Sequence, residues 1–576
     1  MRQTYPEAYF NFIDVSAKAD SQIKAETAQE FSSLGLQYED NQQATYGTLE
    51  LNQFLLDGSR EIFPDELPED VAYWSTEMSD ADCLYTDNPM LEINFTVTHS
   101  SIGLTLYFAG DIPAEILITW YTLYGTKIIS QVFYPEKREY FCNCNVQNYG
   151  KITIEFLRCT LPYRYVKMDR LKYGQKWTLS RSVIKTASVY EEIDLTSATL
   201  SVNTAQIEII DSNGDFELSN QDGLWKALQK EQAIAVVEYI DGKKIDCGTF
   251  YLDSWSSQKS IVGLSLIDIL GIMDKTMFYG GRIYADEYAG VIIAEIMASA
   301  GVEKYSIDEE VYYTKLSGWL AIQSHRAALQ QVVFACGAVA DCSRSDWLRI
   351  SKPDRYVSRT IGLNRKFQGT QISLNEYVSG ITVSYSSYVL SDESKQIVES
   401  NLTAGRNVIE FSEPYLAESI VASMGTIVEV FTNYVVVEME TDGKCILTGR
   451  KYEAIENAYT ASAEVIEAGE TQKVTSYKGC TLLDTEKARD VAEHLLDYFQ
   501  FRHEVNIKYI NSGEAVGDWC DVALAGGGNA ATCLLSQTLD LSGGNISSAK
   551  CRGYSRSVTD YSFAGNEIYT GERGLI

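Results

Sequence analysis

Apolar residues recur at every second position along several short runs in the first third of the chain. The runs are Leu91–Val97, Leu104–Phe108, Ile116–Trp120, Tyr140–Val146 and Ile152–Phe156. A period of two places successive side chains on opposite faces of a strand, so that one face of each run can be buried. Strands of this length with turns between them predict an antiparallel β-sandwich over residues 46–165.

A helical period appears in three later segments. The first covers 291–300, with Asp286 as a candidate N-cap and Gly301 as its end, and the second covers 324–336 and ends at Gly337. The third covers 485–499 and leads into an alternating strand. We also expect short helices near 21–31 and 415–424 and a β-hairpin over 338–350.

The order of these patterns predicts a mainly β fold with α+β parts. It divides the chain into seven segments: an N-terminal arm (1–45), the β-sandwich (46–165), a connector rich in Lys and Arg (166–187), a first β-rich region (188–285), an α/β region (286–365), a second β-rich region with helices (366–500) and a C-terminal all-β part (501–576).

Composition narrows the classes of protein to consider. The net charge is −31 and the pI is about 4.6, which argues against a protein that grips nucleic acid or an anionic membrane. No secretory signal follows Met1, and no apolar run approaches the ~20 residues of a membrane span. The 12 cysteines are dispersed, and Cys142 and Cys144 share a strand face. We therefore expect reduced, mostly buried thiols of a protein made in a cytoplasm.

Motifs that carry chemistry are scarce. The chain has four histidines, His99, His325, His494 and His503, and it lacks HExxH, CxxC and GxSxG. We expect His494 at the surface or at a helix end. The Gly-rich tract 525–533 lacks the Lys-Ser/Thr of a phosphate loop and is typical of a hairpin loop, and the adjacent Glu309 and Glu310 cannot face one another. The sequence therefore predicts no catalytic, cofactor-binding or metal-binding residue.

One acidic stretch, "IDSNGDFELSN" from Ile210, could be either a calcium loop or a turn. Asp211, Asn213 and Asp215 alternate as in a calcium loop, but position 6 is Phe216 and position 12 is Asp222. Asn213-Gly214 tolerates positive φ at both residues and is a strong hairpin signal. The turn is therefore favoured over the calcium site.

The segment Ala205–Trp255 resembles the first β domain of phage tail hub proteins. The resemblance is carried by a set of turn and strand residues: Gly214, Phe216, Gly223, Asp241, Gly242, Gly248, Phe250 and Trp255. Gly263–Lys275 resembles the strand and short helix that close that domain. Tyr288–Val302, Ser324–Ile350 and Gly517–Tyr554 resemble the remaining hub parts, so that the likeness covers roughly residues 185–576. Residues 46–165 resemble a galactose-binding-like sandwich that is joined to such hubs in phages of Gram-positive bacteria.

This family includes baseplate hubs of contractile phages, spike-bearing proteins of type VI secretion and the N-terminal domains of tail-associated lysins. The resemblance implies that 188–285 forms a first small β-barrel and that 501–576 forms a C-terminal β-barrel part. It also implies a structural tail-tip protein of a virion, assembled in the host cytoplasm. It further implies a homotrimeric ring that closes the tail tube, contacts the distal tail and other tip proteins, and lets DNA pass without specific binding. The sequence ends at Ile576, soon after the last barrel part, so we expect no appended peptidase, glycosidase or β-helical needle.

Two questions stay open at this point. The sandwich could bind a host surface glycan, with Trp74, Trp120 and Tyr121 stacking on sugar rings, or it could dock neighbouring tip proteins. Trp120 alternates with Ile118, which favours core packing for that residue. The alternative to a structural hub is an enzyme that binds or degrades cell-wall glycan.

Overall fold

The computed structural model describes residues 3–38, 43–212, 214, 216–217, 231–463, 471–524, 528–556, 562–563 and 574–575. The chain divides into two compact units. The N-terminal unit comprises Tyr9–Thr178, and the C-terminal unit comprises the described residues from Leu179 onward together with those up to Ala8.

Strands dominate both units, which confirms the predicted mainly β fold. Their bounds in chain order are β1 (Thr4–Asn11), β2 (Gln22–Lys24), β3 (Tyr73–Met78), β4 (Met90–Phe108), β5 (Pro113–Tyr121), β6 (Lys127–Phe133), β7 (Glu139–Cys159), β8 (Tyr165–Lys172), β9 (Lys176–Leu179), β10 (Ile184–Glu192), β11 (Thr204–Ile210), β12 (Ala233–Ile240), β13 (Lys243–Gln258), β14 (Ile261–Ile267), β15 (Met277–Phe278), β16 (Ile283–Tyr288), β17 (Tyr305–Ile307), β18 (Lys315–Trp319), β19 (Gln323–Ser324), β20 (Val339–Asp341), β21 (Leu348–Ser351), β22 (Val357–Ile361), β23 (Gln371–Leu374), β24 (Gly380–Leu402), β25 (Gly405–Glu410), β26 (Val421–Ala422), β27 (Thr426–Val430), β28 (Tyr434–Met439), β29 (Gly443–Ser462), β30 (Val474–Tyr477), β31 (His503–Ile510), β32 (Trp519–Ala523), β33 (Asn529–Asp540), β34 (Ile546–Arg556), β35 (Ser562–Phe563) and β36 (Gly574–Leu575).

The helices are α1 (Val15–Asp20), α2 (Ile269–Met273), α3 (Ala289–Ala300), α4 (Glu309–Tyr312), α5 (His325–Ala335) and α6 (Thr485–Phe499). Short 3-10 turns cover Leu34–Tyr38, Leu363–Arg365 and Ala417–Ser419. Within the described ranges, no helix is both long enough and apolar enough to cross a bilayer.

The three long helices confirm the sequence prediction. Gly301 ends α3 in the left-handed conformation at φ 69°, and Ser324 caps α5 by accepting a hydrogen bond from the Ala327 amide. Asp286 was the wrong cap, because the residue before α3 is Tyr288 and Asp286 lies within β16.

The two short helices were predicted wrongly. Near residues 21–31 the chain forms β2, which pairs with β4, and the helix lies earlier, as α1. Near 415–424 there is only the 3-10 turn followed by β26, which pairs with β29. In both places pairing with a distant strand decides the local structure.

The N-terminal unit holds a seven-stranded sheet in the order β3-β8-β4-β7-β5-β6, with β2 attached to β4. The strand pairings within this sheet are antiparallel. The long strands β4 and β7 pair along both of their halves, and the halves enclose one core. Ile93 and Ile154 enter this core from one half, and Leu106 and Cys142 enter it from the other. The sheet therefore surrounds one core, and the β-sandwich over residues 46–165 stays a prediction.

The bend in β4 explains a wrong prediction within that strand. The register of β4 against β7 is irregular between Asn94 and Gly103, and Gly103 has a φ of 145°. A Cβ on Gly103 would lie 2.1 Å from the Cys142 carbonyl oxygen, so only glycine fits there. Because the alternation is interrupted at this irregularity, Val97 is exposed rather than buried.

The C-terminal unit is built on a sheet that joins two distant parts of the sequence. Its order is β23-β31-β34-β33-β10-β11-β14-β13-β12, and the strand that joins the parts is β10, which pairs with both β11 and β33. A buried polar group ties the same parts together. Arg344 Nε donates to Glu191 Oε1 at 3.0 Å and Gln537 Nε2 donates to Glu191 Oε2 at 2.7 Å.

A helical layer and a long ribbon complete this unit. The helices α3, α5 and α6 share a core that includes Ile293, Val332 and Val491. The strands β24 and β29 pair from Gly380↔Ser462 to Leu402↔Gly443. Between them in the sequence lies a three-stranded sheet, β25-β28-β27, which has a small core of its own around Val435 and Val437.

Candidate interaction surface

The edge strand β23 carries exposed apolar side chains. It pairs with β31 through Ile372↔Val505 and Leu374↔His503, and it lies at the end of this sheet as far as the described residues show. Residues directly opposite each other on paired strands point to the same face. Val505 is fully buried on that face, whereas Ile372 is 48% exposed and Leu374 is 59% exposed. The apolar face of the sheet therefore continues beyond its covered core.

The segment before β23 extends this surface. Phe367 donates its amide to the carbonyl of Lys508 on β31 and is 41% exposed, and Leu363 is 58% exposed. We define the β23 edge as Leu363, Phe367, Ile372 and Leu374. An exposed edge strand with apolar side chains is a site for pairing with another chain. The sequence signal was weak, since Ile372 and Leu374 show two periods of alternation at most.

The strands β24 and β29 carry further exposed apolar residues, Val389 and Ile455, on their paired ribbon. The three-stranded sheet beyond it exposes Val408, Val428 and Phe431. These residues are more scattered than the β23 edge.

His99 lies between two carboxylates, an arrangement that no motif in the sequence signalled. Its Nδ1 lies 3.2 Å from Asp14 Oδ2 and its Nε2 lies 3.0 Å from Asp20 Oδ2, at the two ends of α1. Hydrogen bonds from Thr96 and His99 lower the pKa of Asp20. Burial raises the pKa of Asp14, but hydrogen bonds, including the one to His99, outweigh it and lower that pKa overall. The arrangement fastens α1 to β4.

Two other histidines are packed into the C-terminal unit. His325 lies between Thr276 Oγ1 at 2.8 Å and Ser299 Oγ at 3.0 Å, and burial lowers its pKa. His494 is half-buried in the middle of α6 rather than at the surface or at a helix end, and burial lowers its pKa as well. Both imidazoles are therefore explained by packing within the C-terminal unit.

The stretch after Ile210 forms a turn around Asp211. Asp211 Oδ2 accepts a hydrogen bond from the Phe216 amide at 2.8 Å, and Gly214 has a φ of 71°. The strand β11 pairs with β10 and β14, and the next strand among the described residues is β12, from Ala233. Asn213 and Asp215 lie outside the described residues. Among the described residues, no cluster of three His, Cys, Asp or Glu side chains could hold a metal ion.

The aromatic candidates for sugar stacking are placed differently from one another. Trp120 is fully buried in the core, as its alternation predicted, and Trp74 is 5% exposed. Lys167 Nζ lies 4.1 Å from the centroid of the Trp74 ring. Tyr121 is partly exposed at the end of β5, with Lys151 Nζ 5.8 Å from its ring centroid.

The remaining candidates occupy ordinary structural positions. The Gly-rich tract begins between β32 and β33, which pair as the predicted hairpin, and residues 525–527 lie outside the described residues. Glu309 and Glu310 are exposed in the first turn of α4. All 12 cysteines are free, and Cys142 and Cys144 are buried. Burial raises the pKa of both thiols.

The residues that carried the sequence resemblance lie on turns and strands of the C-terminal unit. Asp241 and Gly242 form the β12–β13 turn with φ of 49° and 82°. Gly248 lies at an irregularity of the same hairpin, and Phe250 is buried. Trp255 lies on β13, and Gly223 lies outside the described residues. Gly263–Lys275 contains most of β14 and all of α2, the expected strand and short helix.

Comparison with known proteins gives distant structural likenesses only. No protein-family model matches the sequence. No curated protein matches it.

The solved structures similar to this chain include tail proteins. A tail protein from Neisseria meningitidis is 10% identical with a TM-score of 0.40, covering 66% of this chain and 93% of its own. The 43 kDa tail protein of prophage MuSo2 from Shewanella oneidensis is 10% identical with a TM-score of 0.38, covering 64% and 93%. Prophage tail protein gp18 from Listeria monocytogenes is 8% identical with a TM-score of 0.37, covering 67% and 94%. At these scores the likenesses do not establish a function for this chain.

Proposed function

We propose that this protein is a structural tail-tip protein of a bacteriophage or a phage-like tail. In this proposal, three copies form a ring that closes the tail tube, anchors the neighbouring tip proteins and lets DNA pass. The protein acts by shape and carries no catalytic residue.

The β23 edge is the observation that carries this proposal. An apolar sheet face that runs on past its core, beside an unpaired strand edge, is stabilised when another chain covers it. A subunit of a ring presents such edges to its neighbours. The hub-like order of the segments Ala205–Trp255, Tyr288–Val302 and Ser324–Ile350 supports the same assignment at the level of sequence.

A substitution on this edge tests the assembly. We expect the Ile372→Lys, Leu374→Lys double variant to lower the self-association of the full chain at least tenfold. The reason is that it places two charges on the face that a neighbouring copy covers in the proposed ring. Analytical ultracentrifugation over a range of concentrations measures this. Ile128→Lys is the matched control, since Ile128 is a 40% exposed residue on β6, the edge strand of the other unit. Equal association of both variants would contradict the role of the β23 edge.

Two further measurements test the position of the protein in the tail and whether it is structural or an enzyme. A density map of the assembled tail should show three copies around the axis of the tube, and a single off-axis copy would contradict the ring. Dye release from purified host cell wall separates the hub from the alternative enzyme. Release that depends on this chain would overturn the structural assignment.

A further inference from the structure

A polar recess opens on the N-terminal unit. Its walls come from the irregular segment 43–60, from β3, from the β4–β5 loop and from the ends of neighbouring strands. The charged side chains that line it are Arg60, Asp111, Arg138 and Lys167, and Trp74 forms part of the wall. The lining thus has three cations and one carboxylate in a chain with a net charge of −31.

Two of these four charges are already neutralised. Lys167 Nζ pairs with Glu50, which is 4% exposed and also accepts a hydrogen bond from the Tyr165 amide at 2.8 Å. Asp111 pairs with Arg164. Lys167 and Asp111 therefore contribute shape and dipoles to the recess more than net charge.

Arg60 and Arg138 remain. Within the described part of the chain, neither guanidinium has an ion pair or a hydrogen bond. The nearby carboxylates form hydrogen bonds with residues of the wall. Asp70 accepts from the Ala44 amide and the Tyr46 hydroxyl, and Asp169 accepts from the Gln43 amide.

The electrostatics of Lys167 agree with this geometry. Burial lowers the pKa of Lys167, Glu50 opposes that effect, and the positive charge of Arg60 lowers the pKa further. The positive charges of Arg60 and Lys167 therefore repel each other across the recess that both residues line. An anion placed there would relieve the repulsion between them.

We propose that this recess binds the anionic group, a phosphate or a carboxylate, of a saccharide. Guanidinium groups present planar forks of donors that match both kinds of oxyanion. Gln53 and Thr45 line the same recess and supply neutral polar groups of the kind that hydroxyls of a sugar ring require. Tyr46 lines it as well, but its hydroxyl already donates to Asp70. This inference goes beyond the proposed assembly and does not depend on it, since the recess lies within one unit of one chain.

Calorimetric titration of the full chain tests the site. The probes are glucose 1-phosphate, glucuronic acid, unmodified glucose and inorganic phosphate, each at low and high salt. We expect at least one anionic sugar to bind, with affinity falling as salt rises, and glucose not to bind. The Arg60→Gln, Arg138→Gln double variant should lose at least tenfold in affinity. Arg158→Gln is the matched control, because Arg158 is exposed on β7 in the same unit and lies outside the recess.

The outcomes separate the parts of the proposal. Absence of binding by both anionic sugars, or equal affinity in the double variant with unchanged melting, would overturn it. Inorganic phosphate that binds as tightly as glucose 1-phosphate would overturn the saccharide part. Equal binding of glucose would overturn the anionic part. Among the described residues neither guanidinium has an ion pair or a hydrogen bond to lose, and the substitutions remove only the longer-range attraction of Arg138 to Asp169 and of Arg60 to Asp57. The double variant should therefore keep a melting temperature close to that of the wild type, which circular dichroism checks.

Discussion

At the scale of single residues, Asp268 is a buried carboxyl with an unusual environment. It is 2% exposed and precedes α2, where its Oδ1 accepts from the Gly271 amide at 3.0 Å. Its Oδ2 accepts from the Asn203 amide at 2.6 Å and from the Cys342 thiol at 3.1 Å. Burial raises the pKa of Asp268 to about 6 despite these hydrogen bonds. Asp268 forms no ion pair with any residue that the structure describes, and burial is the largest cause of the shift, so ionising this carboxyl costs stability.

The sign of the pH dependence follows from this shift. Between pH ~4 and ~6 the folded chain keeps the Asp268 proton while the unfolded chain loses it, so stability falls as pH rises through this window. The full effect is on the order of 3 kcal/mol. Asp268→Asn keeps an acceptor oxygen and removes the titration. We expect urea unfolding at pH 4, 5, 6 and 7 to show the variant gaining on the wild type up to about pH 6 and then levelling off.

Asp346→Asn provides the contrast for that measurement. Asp346 is paired with Lys304 at the surface, and the hydrogen bond from Lys304 lowers the pKa of its carboxyl. Because the charged form of Asp346 stabilises the folded chain, Asp346→Asn should lower the stability slightly, whereas Asp268→Asn should raise it relative to the wild type as pH rises. A difference between Asp268→Asn and the wild type that does not change with pH would show that the buried carboxyl does not titrate in this window.

Residues whose role depends on near neighbours could be predicted from the sequence. The periodicity identified Trp120 as a core residue, and the glycine rule identified Gly301 as a helix end. The contact of His99 with Asp14 and Asp20 could not be predicted, because it joins positions about eighty residues apart that no motif connects. That Arg60 and Arg138 line the same recess could not be predicted for the same reason, because the two residues are far apart in the sequence.

At the scale of elements, long periodic segments were predicted well and short ones were not. The helix α6 has the predicted bounds because its apolar stripe, which includes Ala488, Val491 and Leu495, repeats over four turns. The segment at 21–31 forms β2 because its partner β4 supplies the hydrogen bonds. The joining of β10 to β33 is a long-range pairing of the same kind, and strand patterns alone do not specify partners.

The N-terminus of α6 allows a test at this scale. Asp484 accepts a hydrogen bond from the Lys487 amide at 2.8 Å and caps the helix. Asp484→Ala should destabilise the first turn by about 1 kcal/mol, which corresponds to roughly fivefold faster amide exchange there. Hydrogen–deuterium exchange of the peptide that covers α6 measures this. Asp484→Asn should restore protection, and the exposed mid-helix change Asp490→Ala should have little effect. Equal amide exchange in all three variants would show that Asp484 does not stabilise the first turn of α6.

At the scale of the whole molecule, the charge has a consequence for the proposed ring. The chain carries −31, and a trimer triples that charge, so carboxylates on an inner wall would repel the phosphates of DNA. We therefore expect the purified chain to leave duplex DNA unshifted in a gel at 50 mM salt, where electrostatic binding is strongest. We also expect a structure of the assembled ring to show a net acidic lumen. The two measurements are independent, because the gel tests binding by the free surface and the structure tests the wall of the channel. A lumen lined by Lys and Arg would mean that the ring holds DNA, and the proposal of free passage would then be wrong.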